Sequence, residues 1–309
     1  MNHLNILDLT GKQISAFPES MDEWLALDDL ILDDNLLASL PENIGHLLNL
    51  KSLSLYKNKL TLLPGSIWKL TNLQVLNIAD NLLPFLSEGI GDLINLQMLD
   101  LGHNQLSALP ESLGDLKSLA FLYLSNNRLK SIPQSFEKLD NLIYLNITDN
   151  QLAALPDSIG WLTHLIELRL YNNQFTALPE SIDHLTDLKE LHLMNNRLAS
   201  LPASLGKIKN LRKLDLQDNK LNTLPETIGD LLNLNELNLR NNKLASIPES
   251  LGRLKNLRFL DLRANKLTSL PASVGNLVNL EKLDLRWNRL SAVPEWIQHL
   301  EQRGCTVYM

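Results

Sequence analysis

Arginine stands at residues 240, 263 and 286, three times at an interval of 23, with Asp261 and Asp284 two residues ahead of the second and third. Guanidinium groups repeated along one face repel unless an anion lies between them. The set therefore reads either as an ion ladder closed by the chain's own aspartates or as a seat for an acidic or phosphorylated ligand. Phe259 and Trp287 lie beside it and complete this secondary candidate site. Near the other end Asp28, Asp29, Asp33 and Asp34 form an acidic patch that reads as a solubilising edge. Of seven histidines only His184 and His192 fall within ten residues of each other, and eight residues between them is poor metal geometry. A surface role is expected for His192. The chain has no GxxxxGK[ST] or GxGxxG phosphate loop, no CxxC, no HExxH and no GxSxG. Its carboxylates recur at fixed intervals instead of forming one pair with divided pKa values. The reading is a non-enzyme with no catalytic residue, no metal and no cofactor.

The interval of 23 is the organising fact, and repeats are sought before anything else. Asparagine falls at 35, 58, 81, 104, 127, 150, 173, 196, 219, 242, 265 and 288, and around it the chain reads LxxLxLxxNxLxxLPxxIGxLxx. Thirteen units begin at Leu4, with no linker between consecutive units. Residues 1–309 therefore read as one domain, although length alone suggests two.

The letters carry physical tasks. Leucines two apart in LxL point to one side of a short extended segment, and the residues flanking the central leucine point to the other. The asparagine comes where the chain turns off that strand, and its amide supplies two donors and an acceptor for backbone groups that meet no water. Stacked copies can bridge successive turns. Lys12 holds this letter in the first unit, where no preceding turn exists to be bridged. Proline at 18, 41, 64, 110 and onward starts a return segment whose apolar residues lie three apart, which predicts a short helical or 3₁₀ stretch. Glycine follows the Ile or Leu in eight units, but Asp22, Trp68, Glu137, Asp183 and Gln298 hold that letter elsewhere, so a left-handed backbone is not obligatory there. The fourth unit places its proline at Pro84 and has Ser87 where the others have proline, and a local distortion is expected. Residues 304–309, GCTVYM, alternate Cys305, Val307 and Met309 with polar neighbours and read as a closing fourteenth strand, with Trp296 and Ile297 covering core before it.

This pattern resembles the leucine-rich repeat proteins of the 23-residue kind, among them the Ras-pathway scaffolds, the plant intracellular Ras-group proteins, and the repeat arms of Scribble-type and Roco proteins. The resemblance spans residue 4 to about residue 300. It implies an α/β solenoid curved as a horseshoe, with a parallel sheet on the concave face and short helical or 3₁₀ segments on the convex one. It also implies protein recognition as the work of the chain, and it selects no particular partner.

Recognition then falls to the variable letters that face outward from the strands. Before the central leucine the run Val75, Met98, Phe121 and Tyr144 is apolar or aromatic without a break, Tyr123 and Arg169 lie alongside with His192, and Tyr171 and Met194 come further along the same units. Aromatic residues, Met and Arg are the composition of an interface core. The competing reading is that neighbouring rings only stabilise the sheet by cross-strand pairing. On the return side, partial burial against flanking loops is expected for Trp68 and Trp161.

Charge and cysteine exclude further classes. Asp plus Glu against Lys plus Arg runs 13 to 5 in residues 1–100, 11 to 7 in 101–200 and 11 to 16 in 201–309, which together make the net charge of -7. An acidic chain is a poor nucleic-acid binder, and an end-to-end gradient can orient a protein partner. No apolar stretch is long enough to span a bilayer, and the first residues have no signal-like character. Cys305 is the one cysteine, so no internal disulfide supports an oxidising compartment. The sequon at Asn146 is read as a chance match. These readings give a cytoplasmic monomer that binds a protein or peptide, no nucleic acid and no membrane, as a scaffold in signal transduction. The alternative is the recognition arm or regulatory subunit of a signalling enzyme, a kinase, GTPase or phosphatase supplied by another domain or chain.

Overall fold

A computed structural model describes residues 5–18 and 20–309; Leu4, where the first unit was placed, lies outside the described residues. The chain divides into two compact units, Met1–Gln151 and Leu152–Met309. In the first, strands β1 (Ile6–Asp8), β2 (Asp29–Ile31), β3 (Ser52–Ser54), β4 (Val75–Asn77), β5 (Met98–Asp100), β6 (Phe121–Tyr123) and β7 (Tyr144–Asn146) pair in parallel, each with the next. In the second, β8 (Glu167–Arg169), β9 (Glu190–His192), β10 (Lys213–Asp215), β11 (Glu236–Asn238), β12 (Phe259–Asp261), β13 (Lys282–Asp284) and β14 (Thr306–Tyr308) do the same. The expected closing strand is β14, which follows a helix at Trp296–Gln302 whose Ile297 and Leu300 are buried.

Every strand is three residues long, and from β1 to β13 it is the xLx triplet that is extended. Its central leucine faces the core, with Leu30, Leu53, Leu76, Leu99, Leu122 and Leu145 fully buried in the first unit. The register keeps equal letters opposite one another, so each column of the repeat becomes a row across the strands.

The recurring asparagine does the work its chemistry suggests. Asn58 accepts from Leu37 N–H at 3.0 Å with Oδ1, while its Nδ2 donates to the carbonyls of Leu32, Leu55 and Tyr56. One amide thus ties its own turn to the preceding one. Asn35 makes the first such bridge, accepting from Ile14 N–H at 2.9 Å. A second asparagine ladder, not foreseen from the sequence, runs along the return side. Asn49, Asn72, Asn95 and Asn141 in the first unit each donate to a carbonyl 24 residues earlier at 2.7 to 2.9 Å. Asn210, Asn233, Asn256 and Asn279 do so in the second. Its signal was the Asn-Leu dipeptide that opens eight of the thirteen repeats.

Return segments are 3₁₀ turns, such as Glu42–His46 and Glu111–Asp115, entered through an extended proline whose carbonyl accepts the first bond. At Gly229 an added Cβ would lie 2.1 Å from the carbonyl oxygen of Ser250 in the next repeat. The glycine is there to let neighbouring segments touch, and it has no positive φ. The left-handed letter is instead the residue before the ladder asparagine, from Asp34 at φ 52° to Trp287 at φ 61°. Asn or Asp fills it at 34, 80, 126, 149, 172, 195, 218 and 241, since their short polar side chains tolerate that conformation best after glycine.

The distortion expected in the fourth repeat does not occur. Ser87 adopts φ -74° and ψ 152°, the same extended conformation as the prolines, and its hydroxyl accepts from Gly89 N–H at 3.2 Å. Serine reaches the torsion proline enforces and adds a cap that proline lacks. The two tryptophans diverge. Trp68 is buried, its ring resting over Gly89, whereas Trp161 is 63% exposed, against the partial burial expected of it. Trp68 holds the glycine letter and its ring meets Gly89 of the next repeat; Trp161 follows a glycine and borders an open hollow with Glu180, Ser181 and His184. Among the described residues no helix is long and apolar enough to cross a membrane.

Candidate functional site

In the first unit the outward letters of β4 to β7 form one row. Val75 pairs with Met98, Met98 with Phe121 and Phe121 with Tyr144, in consecutive register. At about 4.8 Å per strand the row extends roughly 14 Å. Val75, Met98, Tyr123 and Tyr144 are half-buried and Phe121 is 38% exposed. The Tyr123 and Tyr144 rings sit 5.0 Å apart at 39°, a tilted contact across the strands. The pairing reading and the interface reading therefore both have a physical basis here: the two tyrosine rings hold each other, and Phe121 keeps its face toward solvent.

The second unit holds the remaining four residues of the main candidate site. Arg169 pairs in register with His192, and its Nε donates to Glu167 Oε1. Tyr171 and Met194 are half-buried one step further along. His192 corrects the surface role expected of it, being only 9% exposed. Its Nε2 lies 3.1 Å from Glu190 Oε2 and 3.6 Å from Glu167 Oε1. Parallel strands one residue-width apart cover each other's outward side chains, so a ring flanked by Glu167, Glu190 and the β10 side chains loses its water. His184 takes no part and instead approaches Asp183 on the return side.

Two members of the arginine set, Arg263 and Arg286, form an internal ion ladder. Arg263 pairs with Asp261 and reaches Asp284 at 3.3 Å, while Arg286 meets Asp284 at 2.6 Å. Asp284 is fully buried. Burial pushes its carboxyl up, but the hydrogen bonds from Arg286 and the charges of Arg263 and Arg286 more than offset this and hold its pKa below the usual range. Arg286 also lies over the rings of Tyr308 at 4.9 Å and Trp287 at 5.7 Å. Arg240 is half-buried, and Phe259 lines a hollow with Glu236, Asn238, Asp261, Lys282 and Asp284 on β11 to β13. Three of the four charged residues lining that hollow are acidic, which disfavours the anionic-ligand reading.

The sequence reading missed the structural part of the second outward column. Asn77, Asp100, Asn146, Asp215, Asn238 and Asp261 each accept from the backbone N–H two residues on, closing the strand with a side-chain turn. The signal was the preference for Asn or Asp at that letter. Burial is the largest influence on Asp100 and Asp215 and raises both carboxyl pKa values. A carboxyl raised in the folded state contributes stability below its unfolded pKa and loses it as pH rises through the folded pKa. At neutral pH Asp100 therefore carries a penalty. Asp100→Asn, which preserves the acceptor for Gly102 and matches Asn77 on the adjacent β4 and Asn146 on β7, is expected to raise the midpoint of urea unfolding at pH 7 and to leave it nearly unchanged at pH 3. A lower midpoint at pH 7 would refute this account.

Comparison with known proteins bears on the whole array. Family models described as leucine-rich repeat region, leucine rich repeat and leucine rich repeats (2 copies) match residues 84–194, 187–267 in two overlapping parts, and 255–298, and a single leucine rich repeat matches 49–70. No curated protein matches the chain. Among solved structures, a leucine-rich repeat protein of Leptospira interrogans is 29% identical with a TM-score of 0.73, over 99% of this chain and 96% of that one. The plant peptide hormone receptor RGFR1, solved in complex with RGF2, is 31% identical with a TM-score of 0.82, over 99% of this chain and 55% of that one. The Arabidopsis receptor kinase HAESA, solved with the peptide hormone IDA and the co-receptor SERK1, is 33% identical with a TM-score of 0.75, over 92% and 50%. The chain thus spans about half the length of either plant receptor chain.

Proposed function

This chain belongs to the leucine-rich repeat family, and from that premise we propose that it is a scaffold or interaction module holding a protein or peptide partner on the outward face of its strands. The observation that carries the reading is the in-register row Val75, Met98, Phe121 and Tyr144, an apolar and aromatic strip on a face that a water-soluble array would otherwise keep polar. The peptide complexes of RGFR1 and HAESA support a partner of that chemical class. The partner contacts are proposed at Val75, Met98, Phe121, Tyr123 and Tyr144 in the first unit and Arg169, Tyr171, His192 and Met194 in the second. The chain acts as a monomer in the cytoplasm, in signal transduction, without catalysis of its own. Cys305 as the one cysteine supports that compartment.

Phe121→Glu with Tyr144→Glu tests this reading. Affinity capture from native lysate with the intact chain is expected to recover a partner that the double variant loses, while both chains give the same circular dichroism spectrum. Equal recovery by both would remove the site from this strip. A second reading makes the chain the recognition arm of a signalling enzyme, and the receptor kinase HAESA, matched over half its length, supports it. A kinase, GTPase or phosphatase co-purifying with the intact chain would favour that reading.

A further inference from the structure

Glu167, Glu190 and His192 bring one ligand atom each to within 4.8 Å of one another. The repeat places them: Glu167 and Glu190 hold the same letter on β8 and β9 and pair in register, and His192 lies two residues beyond Glu190 on the same face. The Nε2 of His192 stands 3.1 Å from Glu190 Oε2 and 3.6 Å from Glu167 Oε1. Ligand bonds of about 2.0 to 2.2 Å to a tetrahedral zinc ion require its ligand atoms to stand roughly 3.3 to 3.6 Å apart. The two distances from His192 Nε2 lie on either side of that span and the carboxylate oxygens lie within 4.8 Å of each other, so small side-chain rotations bring the three ligand atoms into range.

We propose that Glu167, Glu190 and His192 form a zinc site on the strand face of the second unit, with the fourth position open to water or to an incoming ligand. Charge supports a cation there. Two carboxylates face the Arg169 guanidinium, which donates to the same Glu167 oxygen, and Lys213, in register with Glu190 on β10, is drawn to Glu236 at 3.5 Å, so a neutral imidazole leaves the cluster one charge negative. Asp215, opposite His192 on β10, is held by the N–H of Gln217 and is not a ligand. The imidazole nitrogen selects zinc over magnesium and calcium, which take oxygen ligands. His192 is nine-tenths buried, which restricts its ring to this orientation and lowers the cost of ordering it around a metal.

A competing arrangement places a proton on His192 and lets the imidazolium bridge the two carboxylates. Calorimetric titration of zinc chloride into the full chain decides between them, and it needs no partner, so its outcome is independent of the Phe121 and Tyr144 experiment. Expected is one zinc bound per chain, weakened at least about tenfold in Glu190→Gln and in His192→Gln, with magnesium and calcium giving no binding heat. His164→Gln with His184→Gln, which removes the exposed pairs with Asp187 and Asp183, is expected to leave the zinc titration unchanged. No zinc binding, zinc binding unaltered in Glu190→Gln and His192→Gln, or zinc binding lost in the His164 and His184 variant would each overturn the proposal. Circular dichroism of every variant separates loss of a ligand from loss of fold.

Discussion

Phe136→Ala is expected to lower the unfolding free energy by about 3–5 kcal/mol, the cost of deleting a fully buried aromatic ring from a core that cannot close over the gap. Phe136 is 0% exposed and occupies the letter held by Leu113 in the neighbouring return segment. Its ring therefore fills volume that smaller side chains fill elsewhere. Its carbonyl accepts from Leu139 N–H at 3.0 Å, so the cavity sits directly inside the 3₁₀ turn Gln134–Lys138. Phe136→Leu retains most of that volume and is expected to cost less than about 1.5 kcal/mol. Urea titration followed by circular dichroism measures both. Because repeats contact only their neighbours, hydrogen exchange should quicken first at Leu139 and Leu113. Equal costs for Leu and Ala would show that the site relaxes and that packing there is not specific.

Asn127→Leu is expected to cost about 1–3 kcal/mol although the volume is nearly conserved, because a buried donor left without a partner bears its full desolvation penalty. Asn127 Oδ1 accepts from Leu106 N–H at 3.0 Å, and Leu106 is fully buried. Its Nδ2 donates to the carbonyls of Leu101, Leu124 and Ser125. Leu101 and Leu124 keep a second donor, from Asn104 and Asn150, so the orphaned N–H of Leu106 dominates the loss. The equivalent change at Asn288, which is only part-buried, is expected to cost less, since water can reach the groups it leaves. Urea midpoints of the two variants check the order. The reverse order would mean that burial does not set the strength of these bridges.

Much of the outward strand face proposed for recognition could be read from letters alone. Equal letters stand opposite one another, so the row from Val75 to Tyr144 and the arginine and aspartate ladder followed from counting residues. The aspartates proved to be the partners of Arg263 and Arg286, one of the two alternatives that counting left open. Counting also placed Glu167 beside Glu190. It did not say that His192 turns its ring between them, because two side chains of one column can lean together or apart at the same register.

The amino-acid sequence by itself determined the period, the thirteen-unit array, the identity of the core leucines and the bridging role of the asparagines. These depend on spacing along the chain and on the hydrogen-bonding capacity of one side chain. Tertiary structure alone decided the exposure of Trp161 against the burial of Trp68, the undistorted turn at Ser87 and the closing of water from His192. In each case the outcome depends on which atoms of the next repeat stand a few ångströms away, and a repeat pattern states which residue is the neighbour without stating where its side chain points.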